Sequence, residues 1–209
     1  MSAYDADLPI VAFDFDGTMT VEDSFSAFLK WRRGPARWWL GCVRLIPAGL
    51  AYVFGHRDRG RIKMAAVREF LKGIKREQLE AEARRFAQER AARLLRPDAV
   101  VAFERWRASP VRLLIVTASP EVVVSPFAEA LGAAGVVGTL LAYDDQDRVI
   151  GPFVGPNCRG PEKMVRLRAA YGPGLRLLAA YGDTGGDTEM LAAAEQPHFR
   201  VFKGRPPSR

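Results

Sequence analysis

Two carboxylates stand one residue apart where an apolar run ends, in the stretch VAFDFDGTMT at residues 11–20. Asp14 and Asp16 follow a short run of apolar and β-branched residues that is typical of a buried strand. Gly17 comes directly afterwards, and an aspartate followed by glycine is typical of a turn. The stretch is therefore either an ordinary turn or a pair of carboxylates that takes part in catalysis or metal binding. Polar residues elsewhere in the sequence distinguish these two interpretations.

Two later apolar runs, at 111–119 and 175–183, also end in polar side chains. These side chains are Thr117, Ser119, Asp183 and the nearby Asp187. In open α/β sheets, ligands bind outside the carboxyl ends of the strands, so we expect all these groups to meet at one edge. Carboxylates packed together raise each other's pKa unless a cation lies among them, and oxygen ligands suit Mg²⁺. The pattern predicts a magnesium site.

The order of the predicted elements indicates how these groups are positioned. Strands are predicted at 9–13, 111–119, 136–144 and 175–183, and helices at 97–108, 121–132, 161–171 and 187–194. This alternation predicts an α/β fold, a Rossmann-like doubly wound parallel sheet with helices on both faces. A mostly helical block interrupts it after the first strand. We therefore expect a core of residues 1–23 and 96–209, with 24–95 inserted as a helical cap over the carboxyl edge.

Composition limits the chain to one substantial core with a smaller lobe, since it has 209 residues and 48% hydrophobic content. The formal net charge is +7, and residues 30–85 hold 15 basic and 5 acidic side chains. An excess of this kind favours anionic partners. Cys42 and Cys158 are too few for a disulfide framework, and the start of the chain has no apolar signal region, so we expect a cytoplasmic protein with reduced thiols.

Four motifs occur in order along the chain. They are Asp14-Phe15-Asp16-Gly17-Thr18, Thr117 at the end of a hydrophobic strand, Lys163 near a helix start, and Gly182-Asp183-Thr184-Gly185-Gly186-Asp187. In type and order they resemble the motifs of the haloacid dehalogenase-like superfamily. The resemblance covers about residues 9–202.

This resemblance implies a role for each polar residue. Asp14 would be the nucleophile that forms an aspartyl-phosphate, and Asp16 the general acid and base. Mg²⁺ would be held by Asp14, the backbone carbonyl of Asp16, and Asp183. Phosphate would be bound by Thr117 and Lys163, while Ser119 would either contact phosphate or serve as a turn or helix-cap residue before Pro120. Asp187 would orient Lys163 or the metal shell. Asp16 also favours phosphoryl chemistry, because dehalogenases of the superfamily do not use this acid.

The insertion bears on the substrate. It resembles the cap of the phosphoserine phosphatase-like subfamily IB, in which a glutamate binds the substrate ammonium group. Asp23 stands at that position here, and Gly186 stands where those enzymes commonly have asparagine. These departures leave three hypotheses: a phosphatase acting on a phospholipid-type monoester, a soluble small-metabolite phosphatase such as one for phosphoserine, or a non-catalytic phosphate- or lipid-binding module.

The apolar stretch 38–54 supports the lipid hypothesis. Its 17 residues, interrupted by Arg44 and Pro47, are fewer than the roughly 20 needed to span a bilayer. It is either an interfacial helix seated among anionic headgroups or a cap helix buried against its own domain. Basic residues flank it on both sides: Lys30, Arg32, Arg33, Arg37, Arg57, Arg59, Arg61 and Lys63. This composition is similar to the phosphatidylglycerophosphatase C-type branch, which would place the protein at the inner face of the membrane. No nucleic-acid motif is present, and the sequence does not indicate an oligomeric state.

Overall fold

The structure is a computed structural model that describes residues 8–54 and 59–207. Arg57 of the basic set lies outside the described residues. Within the described ranges, six strands form one sheet. They are β1 (Ile10–Phe13), β2 (Arg112–Pro120), β3 (Gly135–Tyr143), β4 (Val149–Val154), β5 (Leu177–Gly182) and β6 (Gln196–Phe199).

The strand order is β4-β3-β2-β1-β5-β6, which places β1 and its carboxylates in the middle of the sheet. Every neighbouring pair is parallel except β3 and β4, which are antiparallel. The predicted doubly wound α/β fold is therefore confirmed. The two edge strands were not predicted from the sequence. β6 is only four residues long and has proline at its second position, which is tolerated only at an edge or the start of a strand.

Eight α-helices accompany the sheet in the described part of the chain. Four lie within the predicted insertion 24–95: α1 (Ser24–Arg44), α2 (Ile46–Phe54), α3 (Arg59–Phe70) and α4 (Arg76–Leu94). The others are α5 (Pro97–Arg107), α6 (Glu121–Leu131), α7 (Pro161–Tyr171) and α8 (Thr188–Ala193). The predicted stretch 38–54 is divided between the end of α1 and α2. Within the described residues, no helix is both long enough and apolar enough to cross a membrane.

Side chains of β1 alternate between two hydrophobic clusters, as expected for a strand with a covered face on each side. Ile10 and Ala12 belong to a cluster that includes Met164 of α7 and Met190 of α8. Val11 and Phe13 belong to the larger cluster on the opposite face. Helices therefore cover both faces of the sheet, and the site can form only at its edge.

The larger cluster continues from the sheet into the inserted helices. The ring of Phe86 on α4 lies 5.4 Å from Phe28 on α1 and 5.8 Å from Phe127 on α6, measured between centroids. All three rings are buried. Val67 and Phe70 of α3 belong to the same cluster, so α1, α3 and α4 are anchored to the sheet by a shared apolar core.

Candidate active site

Asp14 lies directly after β1, and the backbone keeps it in the register of the sheet. Its N–H donates to the carbonyl oxygen of Tyr181 on β5 at 2.9 Å. The chain then turns through Gly17, which has a φ of 86°. A Cβ at this position would lie 2.4 Å from Oδ2 of Asp183, so glycine is required both for the left-handed backbone and for the close approach of the fourth motif.

Lys163 lies between two carboxylates in the interior. Its Nζ donates to Oδ1 of Asp14 and Oδ1 of Asp187, each at 2.6 Å, and to the carbonyl oxygen of Val116 at 2.8 Å. The lysine is 1% exposed. Burial lowers its pKa, but the two carboxylates outweigh burial and raise the pKa to about 12. The ammonium group therefore remains charged and bonded on all three of its donors.

Asp187 has hydrogen-bond donors on both of its oxygens. Oδ1 accepts from Lys163, while Oδ2 accepts from the N–H of Asp183 at 3.2 Å and from both the N–H and hydroxyl of Thr184. Burial raises the pKa of Asp187, but Lys163 and these donors lower it below its usual value. These contacts place Asp187 against the lysine and the fourth-motif loop.

Three carboxylates converge at this edge. Asp14, Asp183 and Asp187 each offer an oxygen within 4.8 Å of the others. Burial raises the pKa of Asp14 to about 7, although Lys163 opposes this effect. Burial and the charge of Asp187 also raise the pKa of Asp183. Further positive charge would stabilise the ionised forms, and hard oxygen ligands fit Mg²⁺. Both oxygens of Asp187 already accept hydrogen bonds, from Lys163 and from the fourth-motif loop, whereas Lys163 bonds Oδ1 of Asp14 and not its Oδ2. Oδ2 of Asp14 and the carboxylate of Asp183 therefore suit the cation best.

Asp16 is held by donors from two directions. Its Oδ1 accepts from the N–H of Ser24 at 2.7 Å, and its Oδ2 accepts from the hydroxyl of Ser119, with Thr117 further away at 3.4 Å. Thr117 and Ser119 are both fully buried. The N–H of Ser119 also donates to the hydroxyl of Thr117 at 3.0 Å. The structure thus brings both hydroxyls to Asp16. Contact of Thr117 with phosphate stays a prediction, as do the two roles considered for Ser119.

A cavity of about 300 Å³ opens above these carboxylates. Its lining includes Asp14, Asp16, Asp183, Lys163, Asp23, Lys63 and Arg159. Asp23 accepts a hydrogen bond from the N–H of Ser26 at 2.7 Å and so caps α1. The predicted site residues therefore lie together, either in the cavity wall or directly behind it.

Lys63 and Arg159 were missed as site residues. The interfacial alternative would place Lys63 among lipid headgroups, but its Nζ lies 3.2 Å from both the Ser119 hydroxyl and the Ala118 carbonyl oxygen, and 3.7 Å from Oδ2 of Asp23. Arg159 comes four residues before Lys163, and this proximity to the third motif was the available signal. Neither helix rotation nor loop direction can be read from local sequence.

An apolar surface lies on the inserted helices. We call it the α1–α2 surface; its exposed members are Trp39, Leu40, Val43, Ile46 and Leu50, each at least 52% exposed. The opposite side of α1 packs inward, since Trp38 stacks on Phe70 at 5.2 Å between centroids. The stretch is therefore divided between exposed and packed side chains, and a wholly buried cap helix is wrong for its described residues.

Like Lys63, the flanking residues Arg32 and Arg33 are engaged within the protein. Arg32 forms an ion pair with Glu82 at 2.5 Å, and Arg33 donates to the carbonyl oxygen of Phe70 at 3.0 Å. Arg37 and Arg44 are exposed, although Arg44 pairs with Glu69 at 2.9 Å. The basic rim of the α1–α2 surface is therefore smaller than the sequence count suggested.

Comparison with known proteins decides the family. Residues 11–192 match the haloacid dehalogenase-like hydrolase family. This chain belongs to that family. The hydrolase is also 56% identical over 197 residues to Protein CicA of Caulobacter vibrioides, a match that covers 94% of this chain and 88% of that protein.

Solved structures share the fold of this hydrolase. A protein of unknown function from Bordetella pertussis Tohama I has a TM-score of 0.73 at 24% identity, covering 89% of this chain and 87% of that one. A substrate-bound phosphoserine phosphatase complex has a TM-score of 0.60 at 17% identity, covering 90% and 83%. At these identities the likeness establishes a common architecture.

Proposed function

We propose that this hydrolase is a Mg²⁺-dependent phosphomonoesterase that acts through an aspartyl-phosphate on Asp14. The observation that carries the proposal is the arrangement around Asp14 in the cavity wall. Lys163 bonds one of its carboxylate oxygens and Thr18 the other, at 2.6 and 3.1 Å. Asp16 lies in the same wall. A held nucleophile beside a second carboxyl group is what two-step phosphoryl transfer requires.

In the first step, a carboxylate oxygen of Asp14 attacks phosphorus and the bond to the ester oxygen breaks. Asp16 donates its proton to that oxygen, so the alcohol leaves neutral. The donors from Ser24 and Ser119 hold Asp16 in place for this transfer. Lys163 stays charged and offsets the negative charge that gathers around Asp14.

In the second step, Asp16 takes a proton from water, and the water oxygen attacks phosphorus. The bond between phosphorus and Asp14 breaks, which releases inorganic phosphate and restores both carboxyl groups. Asp14, Asp183 and the backbone carbonyl of Asp16 would hold Mg²⁺, which when bound neutralises charge on the phosphoryl oxygens. Asp187 keeps Lys163 in position through its contact at 2.6 Å.

The comparisons support this proposal at the level of fold. A phospho-aspartyl intermediate analogue of phosphoserine phosphatase shares the architecture at a TM-score of 0.58 and 17% identity. We further propose that residues 24–95 act as the cap of this site, with Asp23 at their boundary and Lys63 directed into the cavity. Thr117 and Ser119 then serve the phosphate site through Asp16.

Replacing the nucleophile tests the proposal. Asp14→Asn should lower phosphate release from an aryl phosphate by about three orders of magnitude or more, because an amide is a poor nucleophile. The matched control is Asp145→Asn, in an exposed loop. Steady-state phosphate release and thermal melting are measured together. A folded Asp14→Asn variant that retains a substantial fraction of the wild-type rate would contradict the covalent mechanism.

For the substrate, we propose a phospholipid-type phosphomonoester, such as phosphatidylglycerophosphate, taken from the inner face of a membrane. The α1–α2 surface supports this choice, because Trp39 and its neighbours present contiguous apolar side chains beside the exposed Arg37. An exposed apolar face with cations beside it is suited to an anionic leaflet. A soluble small-metabolite substrate would leave this surface without a role.

Vesicle flotation tests the lipid proposal. The wild type should float with anionic vesicles at low salt and less at high salt, because salt screens the attraction over about 8 Å at physiological ionic strength. The double variant Trp39→Ser/Leu40→Ser should lose flotation, whereas Val165→Ser, which changes an exposed valine on α7, should not. A wild type that fails to float with anionic vesicles would favour the soluble-metabolite phosphatase instead.

A further inference from the structure

Arg159 brings a cation to the cavity that the mechanism does not use. Its side chain lines the cavity together with Thr184 of the fourth-motif loop. Its Nη1 lies 3.4 Å from the Thr184 hydroxyl, a long hydrogen bond. Among the described residues, no carboxylate forms an ion pair with Arg159 within 4.0 Å. Glu189 lies near the adjoining Gly160, at 3.7 Å from where a Cβ would stand, without pairing to the arginine.

The fourth motif leaves room for this guanidinium. A Cβ on Gly186 would stand 2.3 Å from Nη1 and 2.6 Å from Cζ of Arg159, so any larger residue must displace the side chain. The N–H of Gly160 donates to the carbonyl oxygen of Gly186 at 2.8 Å, which ties the two loops together. Gly186 and Arg159 thus form one structural unit at the cavity wall.

The other two cations that line the cavity, Lys163 and Lys63, already have carboxylate partners. Lys163 is bonded to Asp14 and Asp187, and Lys63 lies beside Asp23. Arg159 therefore has guanidinium donors left for a ligand. Its planar fork suits a carboxylate or a phosphodiester, each of which offers two oxygens.

We propose that Arg159 binds a second anionic group in the leaving portion of the substrate. The preferred substrates are then phosphomonoesters whose alcohol carries a carboxylate or a phosphodiester. This inference rests on the proposed function, because it assumes that the phosphoryl group lies at Asp14. Gly186 affects specificity indirectly, because the absence of a side chain there leaves space for the Arg159 guanidinium.

Binding of non-hydrolysable phosphonates tests the inference without requiring turnover. Calorimetry with Mg²⁺ compares ethylphosphonate with 3-phosphonopropionate, and propylphosphonate with 4-phosphonobutyrate, pairs that differ by one carboxylate. The wild type should bind the carboxylates about tenfold more tightly, the effect of one charge-assisted hydrogen bond. Analogues with a methyl phosphodiester in place of the carboxylate are measured in the same way. The anion that gives the larger gain in affinity over the plain alkylphosphonate is the one that Arg159 prefers.

Three variants separate the outcomes. Arg159→Gln should abolish the preference, and Gly186→Ala should do the same by displacing the arginine. Arg168→Gln, which removes an exposed cation from the same chain segment, should preserve it. An unchanged preference in Arg159→Gln, an absent preference in the wild type, or equal loss for all phosphonates would overturn the inference. Intact selective binding without hydrolysis of any phosphomonoester would instead count against the proposed function alone.

Discussion

Among the single residues of the site, Lys163 has the largest electrostatic role, because its ammonium group contacts two buried carboxylates. It is buried between Asp14 and Asp187, and all three of its donors have acceptors. Without this cation two carboxylates would lie uncompensated in the interior, and loss of one partner from a buried ion pair commonly costs about 3–5 kcal/mol. The same two ion pairs therefore stabilise the fold and place a positive charge beside Asp14.

Gly17 offers a test at the same scale. Gly17→Ala should displace Asp183, because the new Cβ would meet Oδ2 at 2.4 Å and the backbone φ of 86° disfavours alanine. We expect a higher Mg²⁺ concentration for half-maximal phosphatase activity, by about tenfold, together with a lower melting temperature. Activity titrated against Mg²⁺ measures the first effect.

Gly185→Ala is the matched control, since a Cβ there would have no neighbouring atom within 4 Å. It should leave the Mg²⁺ requirement close to that of the wild type. If Gly17→Ala required no more Mg²⁺ than Gly185→Ala, the result would contradict a role for Asp183 as a direct metal ligand.

At the scale of secondary-structure elements, contacts between α1 and α3 determine which side of α1 faces the interior. α1 approaches α3 closely where Gly41 faces the ring of Phe70, and Trp38 stacks on the same ring. This contact turns one side of α1 inward. It leaves Trp39 and Leu40 on the outside, since residues adjacent in a helix point in different directions.

Gly41→Ala tests this packing. The added Cβ would stand 2.2 Å from the Phe70 ring, so the buried ring or the helices that hold it must shift. We expect the free energy of unfolding to fall by about 1–3 kcal/mol, as for other overpacked cores. Gly49→Ala on α2, where a Cβ has no neighbour within 4 Å, should instead stabilise by up to about 1 kcal/mol. Urea denaturation measures both, and equal stability of the two variants would contradict the close contact.

Lys63 connects the insertion to the sheet at the scale of the whole molecule. It reaches from α3 to Ala118 and Ser119 at the end of β2, and Ser119 in turn holds Asp16. The inserted helices and Asp16, the proposed general acid, are therefore linked by one chain of hydrogen bonds. The position of the insertion can thus influence proton transfer.

Lys63→Met should lower kcat/KM for an aryl phosphate by about tenfold, because Ser119 and Asp23 lose a shared cation. Lys72→Met, which alters an exposed lysine just beyond α3, should have little effect. Steady-state kinetics and thermal melting of both variants provide the measurement. Unchanged kinetics in Lys63→Met would show that the link has no part in catalysis.

Sequence by itself determined the pattern of elements and the main carboxylate cluster. Alternating apolar runs and helical periodicity are local properties, so β1, β2 and α7 could be recognised without their neighbours. Asp14, Asp183 and Asp187 could be placed together because parallel strands end at a common edge. The four motifs in order then indicated phosphoryl chemistry, and the family match agrees with that superfamily.

Only the tertiary structure decided which cations enter the cavity and which apolar residues stay outside. Lys63 reaches the cavity because of the rotation of α3 about its axis. Arg159 reaches it because Gly186 has no side chain where the guanidinium lies. Ser119 proved to hold Asp16 for the same kind of reason. These outcomes depend on contacts between residues far apart in the chain. Neither periodicity nor motif spacing contains that information.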